Sequence, residues 1–135
     1  MKLLNSIGPN PKVVRMFLAE LGMSVDIEKV DLIKAENRGD VYVARNASGT
    51  TPALELDDGT YLCEIIAICE YLDEVSDADS LIGNTAEERG ETRMWCRRID
   101  LNILETLTNG YRYSAGQALF KDRMRLIPQA ADDLK

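Results

Sequence analysis

Histidine is absent from this 135-residue chain, and that zero narrows its chemistry at once. Ser-His-Asp hydrolysis, Cys-His proteolysis, His-ligated zinc and histidine general-base catalysis all drop out. Cys63, Cys69 and Cys96 never form a C-x-x-C pair, so no structural metal site and no disulfide framework is expected. The plain reading of each is a buried thiol acting as a small hydrophobe. Backbone and amide donors remain. Gly8-Pro9-Asn10-Pro11 reads as a helix start, with Asn10 as N-cap and Pro11 in the first helical position. Glu64 opens a second apolar helix. A helix N-terminus gathers free N–H groups at the positive end of its dipole, so both places attract anions. Thr51-Pro52 places a proline at the beginning of a strand, the position where a missing donor does least harm.

The elements that must position these residues follow from the pattern along the chain. Lys2 to Asn5 is a short apolar strand. After the proline loop, Val13, Val14, Phe17, Leu18 and Leu21 recur at helical spacing, and Gly22 follows as a left-handed C-cap. Ser24 to Leu32 reads as a half-exposed second strand, Lys34 to Asp40 as a polar stretch, and Val41 to Arg45 as a short helical turn. Thr51 to Leu56 and Tyr61 to Cys63 form a hairpin around Asp57-Asp58-Gly59-Thr60, where Asp-Gly supplies the positive φ angles. Ile65, Ile68, Cys69 and Leu72 mark the next helix.

Ser76 to Asn84 reads as a linker. Thr85 with Glu88 makes a capping box that starts a further helix, continued by Met94, Trp95, Ile99, Ile103 and Leu107. Gly110 and Gly116 are expected to interrupt it, and 120–135 reads as a last helix disturbed by Pro128. Strands thus occupy only the first half, which suggests domains at 1–76 and 85–135.

Composition agrees with a folded chain: 45% of residues are hydrophobic and 29% charged, enough to bury a core. Acids outnumber bases 23 to 16, for a formal charge of −7, and such a field repels a phosphate backbone, so no nucleic-acid partner is expected. No apolar run reaches the roughly 18 residues of a membrane span, and Met1 to Ser6 is not a secretory signal. The expected setting is the reducing cytoplasm, with no membrane partner.

The order strand–helix–strand, strand–hairpin–strand–helix, then helices resembles the glutathione transferase family. Gly8-Pro9-Asn10-Pro11-Lys12-Val13-Val14-Arg15, Asn46-Ala47-Ser48-Gly49-Thr50-Thr51-Pro52-Ala53-Leu54 and Glu64-Ile65-Ile66-Ala67-Ile68 carry the resemblance. It implies an α/β thioredoxin-like N-terminal domain followed by an all-α C-terminal domain, with the bond before Pro52 held cis. The chain is short for the family, which implies either a fragment or a natural truncation. In both cases the apolar stripe of the Thr85–Gly110 helix would be partly uncovered, favouring association.

The resemblance also implies a site. Many family members carry an activating serine where Gly8 falls, so the role passes to Asn10, whose amide can donate to a thiolate, or to Ser6 upstream. The Thr51 backbone beside Pro52 would pair with the cysteinyl part of glutathione like an added strand. Thr50 would meet the glycyl carboxylate, Glu64 the γ-glutamyl amine, and the N–H of Ile65 the α-carboxylate. Arg15 reads as an ion-paired helix residue. Tyr111, Arg112 and Tyr113 read as packing that could also line an electrophile pocket.

The implied activity is conjugation of glutathione to small apolar electrophiles, or reduction of hydroperoxides. Glutathione is then a co-substrate, with no resident cofactor and a homodimer as the assembly. A non-catalytic glutathione-binding or dimerisation module is the alternative, because Gly8 and Ile65 each remove a hydroxyl. A thiol–disulfide enzyme is disfavoured by the missing C-x-x-C.

Overall fold

The computed structural model describes residues 1–131 of the chain. These fall into two compact units, Met1–Ile82 and a second that starts at Gly83. The first contains strands β1 (Lys2–Asn5), β2 (Asp26–Lys29), β3 (Ala53–Glu55) and β4 (Tyr61–Cys63), with helices α1 (Pro9–Glu20), α2 (Asp40–Val43) and α3 (Ile65–Val75). The sheet order is β2-β1-β3-β4. β2 runs parallel to β1 across the α1 crossover, while β3 and β4 run antiparallel. This is the thioredoxin-like arrangement that the resemblance implied.

Period-two alternation decides what each face of the sheet buries. Leu3 and Leu54 stand opposite each other and pack with Val14, Leu18 and Leu21 of the α1 segment and Ile68, Cys69 and Leu72 of α3. Leu4 and Ala53 point to the other face and pack with Val30 and Tyr42. Both faces are therefore covered, and β1 carries two adjacent fully buried leucines. Each contributes about 1.5–3 kcal/mol relative to an exposed side chain.

Several expected boundaries move. Helix α1 begins at Pro9 with Gly8 as its N-cap, so Asn10 is the second helical residue and not the cap. Both prolines fit because the first turn's N–H groups have no partner within the helix anyway. Gly22, at φ 65°, follows the C-cap Leu21 and closes the helix as expected. The second strand is shorter than 24–32, and 51–56 is ladder only over Ala53–Glu55. The polar stretch contains a 3-10 turn at Glu36–Arg38. The 76–84 segment is fastened to the end of α3: buried Asp73 accepts from Ser80 Oγ at 2.6 Å and the Leu81 N–H at 2.7 Å.

The second unit is helical. Thr85 caps α4 (Ala86–Ile99) through the expected box with Glu88. The helix continues through a π-turn at Asp100–Leu104 into α5 (Glu105–Tyr113), so Gly110 lies inside a helix and does not interrupt it. Over its described part, 120–131, the expected last helix is not continuous. A short α6 (Gln117–Phe120) ends on the first residue of that range, and Pro128–Ala131 forms a 3-10 turn. Pro128 cannot donate within a helix, and its ring disfavours helical backbone at Ile127. Residues 132–135 lie outside the described residues.

Candidate functional site

Strand direction gathers the candidate residues. The C-terminal end of β1, the N-terminal end of β3 and the C-terminal end of β4 lie at the same end of the sheet. The loops bearing Ser6 to Asn10, Thr50 to Pro52, and Glu64 with Ile65 therefore meet there. One short contact joins two of them directly. Ser6 is buried and its Oγ lies 2.6 Å from Thr51 Oγ1. Its hydroxyl also donates to the Ile7 carbonyl at 3.2 Å, so the single O–H proton of Ser6 is already engaged.

The α1 N-terminus is built differently from the simple capped start. Gly8 holds φ 128°, a value L side chains avoid, and it offers no side-chain cap. Pro9 and Pro11 have no N–H, so of the four donors without an intrahelical partner at this start, those of residues 8–11, only Gly8 and Asn10 remain. Asn10 is half-buried, and its side chain has no hydrogen-bond partner among the described residues. It thus presents both a backbone and an amide donor at the positive end of α1. Arg15 is taken up by Asn5, whose side-chain oxygen accepts from its guanidinium.

The Thr51–Pro52 bond is cis, as the resemblance implied. The segment before it is strapped down from below. Tyr42 donates to the Thr50 carbonyl at 2.6 Å and Asn46 Nδ2 donates to the same oxygen at 2.9 Å. Asn37 Nδ2 donates to the Gly49 carbonyl at 2.6 Å. Ser48 links the side chains of Asn46 and Thr50 at 2.7 and 2.6 Å. Tyr42, Asn46 and Asn37 are buried, and burial pushes the Tyr42 phenol up to about 12, partly offset by its hydrogen bond with Asn46. Sequence reasoning gave none of the three a role, although Asn46 heads one of the motifs that carry the resemblance. The one local signal was Asn46 two residues before Ser48, where the asparagine oxygen accepts the Ser48 N–H at 3.1 Å, an Asx turn.

Glu64 caps α3 with φ 72° and ψ 130°, and its own side chain makes no capping bond. A non-glycine residue held there stores strain of about 1–3 kcal/mol, and its exposed carboxylate stands at the site end of β4. Ile65 turns its side chain toward the core of α1 and α3, so only its backbone N–H, at the first helical position, faces the free end of α3. Beside it, burial and the Glu64 charge both raise the Cys63 thiol, which keeps it protonated and a poor nucleophile. Among the described residues no group of three or more side chains could hold a metal ion. In the second unit, Tyr111 is exposed and Arg112 stacks over Phe120 at 5.7 Å.

Known proteins share this architecture. The profile of the glutathione S-transferase N-terminal domain matches residues 7–75. The chain is 41% identical over 103 residues to glutathione S-transferase 2 of Saccharomyces cerevisiae, a match that covers 75% of this chain and 44% of that relative. To glutathione S-transferase GstA of Escherichia coli O157:H7 it is 36% identical, covering 83% of this chain and 57% of the relative. The crystal structure of a glutathione S-transferase domain-containing protein from Marinobacter aquaeolei superposes with a TM-score of 0.91 at 33% identity. That match covers 99% of this chain and 67% of the other. The chain thus spans about half the length of the curated relatives it matches.

Proposed function

From the premise that the chain belongs to the glutathione S-transferase family, we propose that its first unit binds glutathione where the three loops meet. The whole protein would then act as a transferase, delivering the bound thiolate to a small apolar electrophile or to a hydroperoxide. The observation that carries this reading is the 2.6 Å contact between Ser6 and Thr51. It ties the loop after β1 to the cis-proline loop, so a ligand touching Thr51 also lies near the start of α1.

A free thiol with pKa about 8.5 is mostly protonated at neutral pH, and only the thiolate attacks. In this reading Asn10 donates its amide to the sulfur, and the α1 dipole favours the negative charge. No imidazole is needed. The Thr51 backbone pairs with the cysteinyl unit like an added strand. Glu64 meets the γ-glutamyl ammonium, the Ile65 N–H meets the α-carboxylate, and Thr50 stands nearest the glycyl carboxylate. Two copies packed along the first unit would form the homodimer.

One specific observation favours the second reading, a non-catalytic glutathione-binding or dimerisation module. No hydroxyl is free at the start of α1: Gly8 has none, and that of Ser6 is already engaged. Retention on immobilised glutathione, followed by a chlorodinitrobenzene assay, separates the two. Retention with turnover supports the transferase. Retention without turnover supports the module, and failure to be retained overturns both.

A further inference from the structure

We propose that Tyr42 and Asn46 are positioning residues for glutathione, aiming the Thr51 N–H by holding the Thr50 carbonyl between them. The proposal rests on the glutathione-binding reading of the first unit and names residues that act through the ligand's backbone partner without touching the ligand.

The geometry is that of one peptide plane. The bond between Thr50 and Thr51 is trans, the only cis bond among the described residues being the next one. In a trans peptide the carbonyl and the following N–H point in opposite directions and rotate together. The Thr50 oxygen receives two donors from the same side, Tyr42 Oη at 2.6 Å and Asn46 Nδ2 at 2.9 Å. That pair fixes the plane, and the Thr51 N–H must then point away from Tyr42 and Asn46. It donates to no acceptor among the described residues. A donor held rigidly outward is what strand-like pairing with a peptide needs, because the ordering cost is met before the ligand arrives.

The supports of the clamp are themselves fixed. Tyr42 packs with Leu4, Val30 and Ala53 on the far face of the sheet, and both clamp side chains are buried, at 4% and 5% exposure. The Asn46 oxygen is occupied by the Ser48 N–H and hydroxyl, so its amide cannot flip without losing two bonds. Asn37 holds the preceding carbonyl, that of Gly49, in the same way. Two consecutive carbonyls are thus pinned inward, immediately before the residue whose donor must face outward.

The test compares glutathione with an analogue in which an (E)-alkene isostere replaces the Cys–Gly peptide, keeping the shape and losing the acceptor. Titration calorimetry on the full chain gives both affinities, with thermal melting to monitor folding. Tyr42→Phe keeps the ring and removes one arm of the clamp, and Asn46→Ala removes the other. Each is expected to weaken glutathione binding by about five- to tenfold, the scale of one misaligned hydrogen bond. Each should leave the alkene analogue within about twofold of its affinity for the unsubstituted protein, because that ligand never used the Thr51 donor. Equal losses for both ligands, or no loss for glutathione, overturn the clamp.

A readout on the unsubstituted protein guards against variants that fail to fold. The Thr51 amide should exchange with solvent quickly when free and become protected at saturating glutathione. Unchanged exchange at saturation overturns the proposal. Should the unsubstituted protein bind no glutathione at all, the reading of the first unit fails and the clamp falls with it. Binding without these signatures overturns the clamp alone.

Discussion

At the scale of single residues, the sulfur-activating role separates Asn10 from Ser6. Asn10 has an unspent amide at the positive end of α1, whereas Ser6 is already bonded to Thr51 and Ile7. Losing a hydrogen bond to a charged sulfur costs more than losing one between neutral groups. Asn10→Ala should therefore lower turnover about 10- to 100-fold. Ser6→Ala should instead show as lost stability of about 1 kcal/mol in urea unfolding, with turnover changed only a few-fold. Equal small effects on turnover would remove Asn10 from the chemistry. Tyr42 gives a pH prediction. Its folded pKa is raised to about 12 by burial, above the unfolded value of about 10. Folding therefore favours the neutral phenol, and this contribution is complete below pH 10 and disappears as pH rises through 12. Tyr42→Phe should flatten that alkaline fall in an unfolding series, and parallel curves for the two proteins would contradict it. The motifs that carry the family resemblance pointed to Asn10, Thr51 and Glu64. They did not indicate Tyr42 or Asn37, because a buried polar contact between elements leaves no periodic trace. The sequence reading also put the cap of α1 on Asn10, when backbone freedom, not a side-chain oxygen, chose Gly8.

At the scale of elements, both helix N-termini of the site depart from simple capping. Glu64 holds a positive φ that glycine would occupy without strain. Glu64→Gly should relieve that strain, partly offset by the added freedom of the unfolded chain, for a net gain of about 1 kcal/mol. The same change deletes the carboxylate assigned to the γ-glutamyl ammonium, so glutathione affinity should fall while the urea midpoint rises. A fall in both would mean the Glu64 side chain stabilises the fold itself. Gly49 runs the other way. At φ 60°, a Cβ there would stand 2.9 Å from the Asn37 carbonyl oxygen and 2.9 Å from Arg38 Nη1. Gly49→Ala should cost about 2 kcal/mol in the same assay, since both backbone conformation and contact oppose it. Among the elements, β1, the hairpin and the capping box of α4 were legible because each has a local signature. The π-turn at Asp100–Leu104 and the short α6 were not, since helical periodicity tolerates one inserted residue and does not report where a helix stops.

At the scale of the whole molecule, the second unit carries a row of exposed side chains, Trp95, Ile99, Ile103, Leu107 and Tyr111, spaced four apart along α4, the π-turn and α5. Leu107 is 69% exposed. The resemblance implied that the Thr85–Gly110 helix would be partly uncovered, and this row runs along it. Concentration-dependent association should follow, and Ile103→Glu combined with Leu107→Glu should reduce it in sedimentation velocity; unchanged profiles would place the contact elsewhere. The sheet is guarded in another way. Its outer strand β2 reads Asp26-Ile27-Glu28-Lys29, and Glu28 is bound to Arg45 at 2.5 Å and to Lys2 at 3.7 Å. The opposite border, β4, is three residues long. Charged or very short rims are poor templates for further strands. Any clumps this protein forms should therefore be helical in character, dissolving in mild detergent and leaving amyloid-reporting dyes dark.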